Sequence, residues 1–429
     1  MLVDFAFGKT GLSLDLPDRF NYKLLEARTA EPLPDWRAEL NRALDGPIGT
    51  KPLRTLGQGK RSAAISVCDI TRPVPNRLTL PFILPRLEES GIARDQITIL
   101  VATGLHRAAT PEEIREIVGE EIAARYRVVN HFARNRDDHR YLGETSSGTP
   151  VSIDERFVAA DLHLTLGFIE PHLMLGYSGG RKLVAPGLAA QETIKVLHSP
   201  RFMRDRRTHE GSIEDNPLHR ELLEIARMAG HHFIVDVALT RGREIAGVFA
   251  GDPVEAHRAG VRFVSRVMLE LVHEPADAVI TTSAGYPLDL TFYQAVKGVT
   301  AAQHIVRPGG KILLIAECQE GPGAREFRDM LISAPGAERF LEQIDGKPVI
   351  VDQWQLEKLA LVTRKADMLY YVPGLPADFY PSLWGQAFAT IKEAVDGLTT
   401  GLPDGARIAL IPEGPYVLAK VAGDVPAAV

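Results

Sequence analysis

From about residue 60 onward, apolar runs of strand length alternate with longer amphipathic stretches. Ala63–Asp69, Ile97–Thr103, Arg127–His131, Asp161–Gly167 and His232–Leu239 are rich in Val, Ile, Leu or Ala and predict strands. Between them, Asn76–Ser90, Pro111–Tyr126 and Pro217–Ala229 predict helices, and Gln191–Met203 reads as another. Thr110-Pro111-Glu112-Glu113 has the chemistry of a helix start: a capping hydroxyl, a proline in the first turn and acids at the positive end. After a long helix predicted over Pro253–Val272, the loop His273-Glu274-Pro275 marks a boundary. The pattern then restarts with a strand at Ala278–Ser283, a helix at Thr291–Val306, and strands at Lys311–Ala316 and Arg407–Pro412.

This alternation predicts an α/β protein of two domains, each with a mainly parallel sheet flanked by helices, and a site in the cleft between them. The division expected is residues 1–272 and 273–429, with the final residues free to pack back on the first domain. A length of 429 residues suits two domains. No repeat at solenoid spacing and no low-complexity tract interrupts the pattern.

Composition narrows the class. Hydrophobic content of 45% and charged content of 24% are those of a globular protein with sizeable cores. The formal charge of −6 comes without a basic block, which argues against nucleic acid as a partner. With only Cys68 and Cys318 there is no disulfide framework, so a reducing compartment is expected. The first twenty residues lack a basic stretch followed by an apolar run, and no apolar segment approaches the roughly 20 residues that span a bilayer. The expectation is a cytoplasmic protein without a membrane partner.

The candidate polar residues gather just after predicted strands, where open α/β sheets bind ligands. Asp69-Ile70-Thr71-Arg72-Pro73 follows the first. Pro73 keeps Arg72 extended, so this loop offers backbone N–H groups and a hydroxyl to a phosphate, and a guanidinium fork to a carboxylate. A plain turn held by an Asp–Arg pair accounts for it equally well. His106 in Thr-Gly-Leu-His follows the second strand and His172 a later one; two imidazoles at separate strand ends can face one substrate from opposite sides. Lys182 follows Gly179-Gly180-Arg181, a bend that could hold it against an anion or make it nucleophilic, or a basic surface turn. His198 falls near the end of its predicted helix. In the second half, Gln294 and Lys297 stand three apart on one helix face near an N-terminus, which suits an anionic ligand. Trp354 reads as a core aromatic or as an apolar pocket wall.

Taken together these motifs resemble the nickel-pincer-nucleotide-dependent lactate racemase family. The resemblance rests on DITRP at Asp69, TGLH at His106, PHLMLGYSGGRK at His172 and Lys182, LHSP at His198, and YPLDLTFYQAVKG carrying Gln294 and Lys297. It implies a racemase or epimerase that inverts C2 of a 2-hydroxy acid. The implied cofactor is nickel pyridinium-3,5-bisthiocarboxylic acid mononucleotide, which grips nickel through sulfur, carbon and sulfur and depends on cofactor-synthesis enzymes. By the same resemblance, Lys182 would join one arm of the cofactor and His198 would be the protein's nickel ligand. Asp69, Ile70, Thr71 and Arg72 would hold the cofactor, with His106 and His172 as the acid/base pair. Arg72, Gln294, Lys297 and Trp354 would meet the substrate.

Two other classes compete. A nicotinamide-dependent 2-hydroxy acid dehydrogenase needs a phosphate turn after a strand, but Gly57-Gln58-Gly59 precedes its strand and lacks the third glycine. A non-catalytic nucleotide- or anion-binding protein would use the same loops without turnover.

Overall fold

The computed structural model describes residues 1–424 and resolves into two compact units, with two six-stranded sheets in all. The strand β1 (Asn21–Leu24) belongs to the second sheet despite its early place in the chain. The first sheet comprises β2 (Ala63–Cys68), β3 (Ile97–Ala102), β4 (Arg127–Asn130), β5 (Leu162–Phe168), β6 (Phe233–Leu239) and β7 (Ile245–Gly251). Its spatial order is β7-β6-β5-β2-β3-β4, parallel throughout except for the β6–β7 edge pair. Strand β5 is buried at every position, including the polar His163 and Thr165, as expected of a central strand covered on both faces.

The second sheet adds β8 (Ala276–Thr282), β9 (Val306–Ile315), β10 (Ala366–Tyr371), β11 (Gln386–Ala387) and β12 (Arg407–Ile411). Its order is β11-β10-β9-β8-β12-β1, all parallel. One apolar cluster packs helices Phe292–Ala302 and Gln353–Thr363 on this sheet, and another packs helix Ile391–Thr399 on it. Among the described residues, no helix is long and apolar enough to cross a membrane.

Both sheets reverse their winding at an internal strand. From β2 the chain adds strands outward through β3 and β4, then returns to place β5 on the other side of β2. From β8 it runs outward through β9, β10 and β11, then returns to place β12 beside β8. Loops at the carboxyl ends of β2 and β5, and of β8 and β12, therefore flank topological switch points, where crossovers diverge and leave a crevice.

Several boundaries depart from the expected ones for local reasons. The helix predicted over Pro111–Tyr126 is two, Pro111–Val118 and Glu120–Arg125, broken at Gly119 with φ +91°. The run Gln191–Met203 is also two, Gln191–Leu197 and Pro200–Met203. Pro200 forces Ser199 into an extended conformation (φ −77°, ψ 161°), so His198 lies in the break and not on a helix. The helix predicted to reach Val272 stops at Met268, since Leu269–Val272 pairs as a strand with Leu418–Val421.

The units likewise depart from a single cut after residue 272. One contains Thr29–Leu197 and Arg207–Val267; the other contains Met1–Arg28, His198–Arg206 and Met268–Val429. Backbone pairing explains the early segment, as β1 completes the second sheet beside β12. The last described strand, Leu418–Val421, pairs within the same unit and does not return to the first sheet.

Candidate active site

The loop after β2 is organised by Asp69, which is 6% exposed. Its Oδ1 accepts the Thr71 hydroxyl at 2.6 Å and the Thr71 N–H at 3.2 Å, closing a local turn. Its Oδ2 lies 2.7 Å from His106 Nδ1. Burial alone would raise the Asp69 pKa, but the His106 hydrogen bond and charge, Thr71 and Arg72 outweigh it and hold the carboxyl below its usual range. The carboxylate is thus an acceptor, so Nδ1 carries a proton, and in the ring's neutral form the lone pair lies on Nε2. Arg72 donates to the Thr71 carbonyl, and Ile70 packs on the apolar core, leaving its backbone to face a ligand.

His172 sits in a tight hairpin, Pro171–His172 against Gly176–Tyr177. Its Nδ1 accepts the N–H groups of Met174 and Leu175, each at 3.3 Å. The two imidazoles differ in what backs them: His106 Nδ1 faces a carboxylate oxygen, and His172 Nδ1 accepts backbone N–H groups. Asn216 fastens the hairpin by donating to the Met174 carbonyl at 2.8 Å.

Lys182 occupies a short turn, Gly180–Leu183, held from below by Arg181. Arg181 is fully buried and donates to the carbonyls of Leu175, Tyr177, Ser178 and Gly179. Its Nη1 also lies 2.7 Å from His257 Nε2, which is in turn 2.8 Å from the Ser178 carbonyl. Burial lowers Arg181 to about 9 and, with the Arg181 charge, keeps His257 neutral. Asp236, the register partner of Gly167, completes this layer. A Cβ on Gly179 or Gly167 would stand 2.5 or 2.8 Å from its carboxylate oxygens, so both positions need glycine. Burial pushes the Asp236 carboxyl up to about 7 against the opposing pull of the Gly180 and Gly167 N–H groups and the Arg181 charge. Those N–H groups are not aligned for a bond, and neither oxygen has a hydrogen-bond partner.

Cys68, at the end of β2, feels Arg72, Asp69, Lys182 and Asp236 at once, which shows that these groups share one strand end. Burial raises its thiol to about 12, so it is no nucleophile at neutrality. The Gly57-Gln58-Gly59 turn lies at the opposite, amino end of β2.

Sequence reading missed Arg181, Asp236 and His257 as parts of this site. Asp236 did leave a signal, as the lone charge in the apolar run FIVDVAL. His131 was missed too: it is fully enclosed between Asp154 (3.0 Å) and the Ala189 carbonyl (3.1 Å), and so braces the loop that follows Lys182.

The other unit carries His198, Gln294, Lys297 and Trp354. Gln294 and Lys297 lie on helix Phe292–Ala302, which the Thr291 side chain caps by accepting the Gln294 N–H. The Gln294 carboxamide oxygen is buried without a hydrogen-bond partner. Asp289 ties the preceding loop down, accepting the N–H groups of Gly8 at 2.7 Å and Glu317 at 3.2 Å. The His198 and Trp354 rings pack with centroids 4.5 Å apart at 47°. The first unit thus brings together Asp69, Thr71, Arg72, His106 and Lys182 with the His172 hairpin, and the second brings together His198 and Trp354.

Comparison with known proteins identifies the family. The sequence model of the lactate racemase N-terminal domain matches residues 7–211, and that of the lactate racemase C-terminal domain matches residues 271–419. The lactate racemase of Thermoanaerobacterium thermosaccharolyticum is 32% identical over 97% of this chain and 99% of its own. That of Lactiplantibacillus plantarum is 34% identical with the same coverage. The solved lactate racemase apoprotein from T. thermosaccharolyticum superposes with a TM-score of 0.90 over 98% of this chain and all of that one. A Thermotoga maritima protein at 16% identity and a TM-score of 0.66 shares the fold. The chain therefore belongs to the lactate racemase family, a family of isomerases.

Proposed function

We propose that this protein racemises a 2-hydroxy acid of the lactate type, with His106 and His172 handling the hydroxyl proton on either face of C2. The observation that carries this reading is the Asp69–His106 pair beside the β2/β5 switch point, next to the Lys182 turn. A neutral Nε2 lone pair backed by a buried carboxylate is a general base whose cation is stabilised as it forms. His172 would serve the other face in the same way, giving a proton to the substrate oxygen as the imidazolium on the return step and, as the neutral ring, taking one when the opposite enantiomer reacts.

The Cα–H of a 2-hydroxy acid is a poor acid, because its loss would build a second negative charge beside the carboxylate. Hydride removal leaves a neutral carbonyl beside that carboxylate, a stable 2-oxo acid, and no side chain of this site accepts hydride. An organic cofactor is required, and the residues fit the nickel-pincer nucleotide. Among the described residues no three His, Cys, Asp or Glu side chains cluster to hold a metal. A nickel ion would need a group that brings most of its own donors, completed by one imidazole. In this reading His198 supplies that imidazole and Lys182 carries the group. The Asp69–Arg72 loop holds the group's nucleotide end, as N–H-rich loops at switch points do. When bound, such a group would supply the reversible hydride acceptor that the side chains of this site lack. Arg72, Gln294 and Lys297 hold the substrate carboxylate and Trp354 walls the pocket. The cofactor-synthesis enzymes are the implied partners.

The test is chiral chromatography of D- and L-lactate and larger 2-hydroxy acids with protein produced alongside those enzymes. Equal amounts of both enantiomers from either one, without added nicotinamide and with deuterium retained at C2, are expected. Complete loss of that deuterium to solvent would reject the hydride route.

A further inference from the structure

The segment His198–Arg206 belongs to the unit of the second sheet, while Leu197 before it and Arg207 after it belong to the other. Its only helix, Pro200–Met203, has four residues, too few to persist through its own hydrogen bonds. What holds the segment is a buried polar contact with helix Gln353–Thr363, the helix that carries Trp354. Arg204 Nε donates to Glu357 Oε1 at 2.7 Å, Nη2 to the Leu341 carbonyl at 2.9 Å, and Nη1 to Asp345 at 3.0 Å. Lys358 Nζ donates to the Met203 carbonyl at 3.0 Å. Glu357 is wholly buried, and its second oxygen has no hydrogen-bond partner. Apolar side chains of similar volume would pack this face at least as stably, so the pair gives fixed geometry more than it gives stability.

We propose that Arg204 and Glu357 are positioning residues that latch the His198 segment to helix Gln353–Thr363 and so fix the imidazole against Trp354. The latch rests on the reading above for its purpose, since a metal ligand works only if its ring is held in one orientation. Groups that orient ligands from outside the coordination sphere typically change metal affinity 10–100-fold when removed. Phe202 and Met203 are buried beside the pair, so the segment keeps an apolar footing when the charges are lost.

The experiment compares Arg204→Met, Glu357→Gln and the conservative Arg204→Lys with the parent. In cofactor-free protein, hydrogen exchange is followed by mass spectrometry over residues 198–206 and over β5. In holoenzyme, nickel loss to a chelator is followed by elemental analysis. The latch predicts exchange at least ~10-fold faster in 198–206 with β5 unchanged, which is local opening and not global destabilisation. It also predicts nickel loss roughly 10–100-fold faster, with Arg204→Lys intermediate in both. Unchanged exchange in 198–206, faster exchange everywhere, or faster local exchange with parental nickel retention would each overturn it. His198→Ala separates the two levels: if that variant also keeps its nickel, the ligand assignment fails and not merely the latch.

Discussion

Asp69 and His106 stand 37 residues apart in sequence, yet Asp69 Oδ2 meets His106 Nδ1 at 2.7 Å, with the carboxylate 6% exposed and the imidazole 55% exposed. The pair joins a buried, ionised anchor to a ring that reaches solvent, and that polarity makes Nε2 the working atom. Asp69→Asn keeps the shape but can present an N–H to Nδ1, which favours the opposite tautomer and removes the charge that supports the imidazolium. The expected outcome is a fall in kcat of about 10²–10⁴-fold with little change in KM, measured by polarimetry on either enantiomer. A variant with parental kcat would remove Asp69 from the proton path.

His172 Nδ1 accepts from two backbone N–H groups, those of Met174 and Leu175. Replacing it should therefore remove proton delivery on one face without disturbing the His106 pair. His106→Ala and His172→Ala are each expected to lose about 10²–10⁴-fold in kcat with cofactor content unchanged. In the proposed scheme both serve one turnover, so the double variant should be far less than multiplicatively impaired. Measuring rates and bound nickel together on all three proteins tests this. Parental turnover in either single variant would reject the two-histidine scheme.

The Asp236 carboxyl makes stability depend on pH in a defined direction. Unfolded, it loses its proton near its ordinary value of about 3.9; folded, it holds that proton up to about 7. Between these values the folded state binds more protons than the unfolded one, so this group's contribution to stability declines as pH rises through the window. Asp236→Asn removes that dependence. Relative to the parent, the variant is expected to gain on the order of a few kcal/mol between pH 4.5 and pH 8. Denaturant titrations at both pH values check it. A parent-to-variant difference that stays flat with pH would mean that Asp236 does not titrate there.

How much of this was legible in sequence depends on how local each cause is. Runs such as Ala63–Cys68 and Ile97–Ala102 are mostly apolar because both sheet faces are covered, so their strands could be read directly. Strand β1 could not, because Asn21–Leu24 has little apolar pattern and gains its place only by pairing with Arg407–Ile411. The antiparallel edge β7 was passed over although its run IAGVFAG is apolar and mostly buried. Asp69 and His106 were each picked out by position after a strand, yet their partnership is a fact of β2 lying beside β3. His198 was placed on a helix because Gln191–Met203 has helical composition, and the break came from Pro200 acting on Ser199. Asp236 and Arg181 were hidden in plain view, one inside an apolar strand and the other beside the more conspicuous Lys182.

Gly176 gives the most direct test of whether the His172 hairpin must keep its shape. It adopts φ +74°, and a Cβ there would stand 1.9 Å from the Ser212 carbonyl oxygen, a backbone atom that cannot swing aside. The Gly211 N–H also bonds the Gly176 carbonyl at 3.0 Å, so the hairpin and the 211–212 loop would have to separate together. Left-handed backbone in alanine costs of order 1–3 kcal/mol, and the clash adds to it. Gly176→Ala is therefore expected to lose roughly 3 kcal/mol or more of stability, read by urea denaturation. Where the protein stays folded, separation of the loops shifts the Met174 and Leu175 N–H groups away from His172 Nδ1. Activity should then fall further than the folded fraction does, with the Lys182 turn untouched. Activity that tracks the folded fraction alone would show that the hairpin supports the fold but does not orient the imidazole.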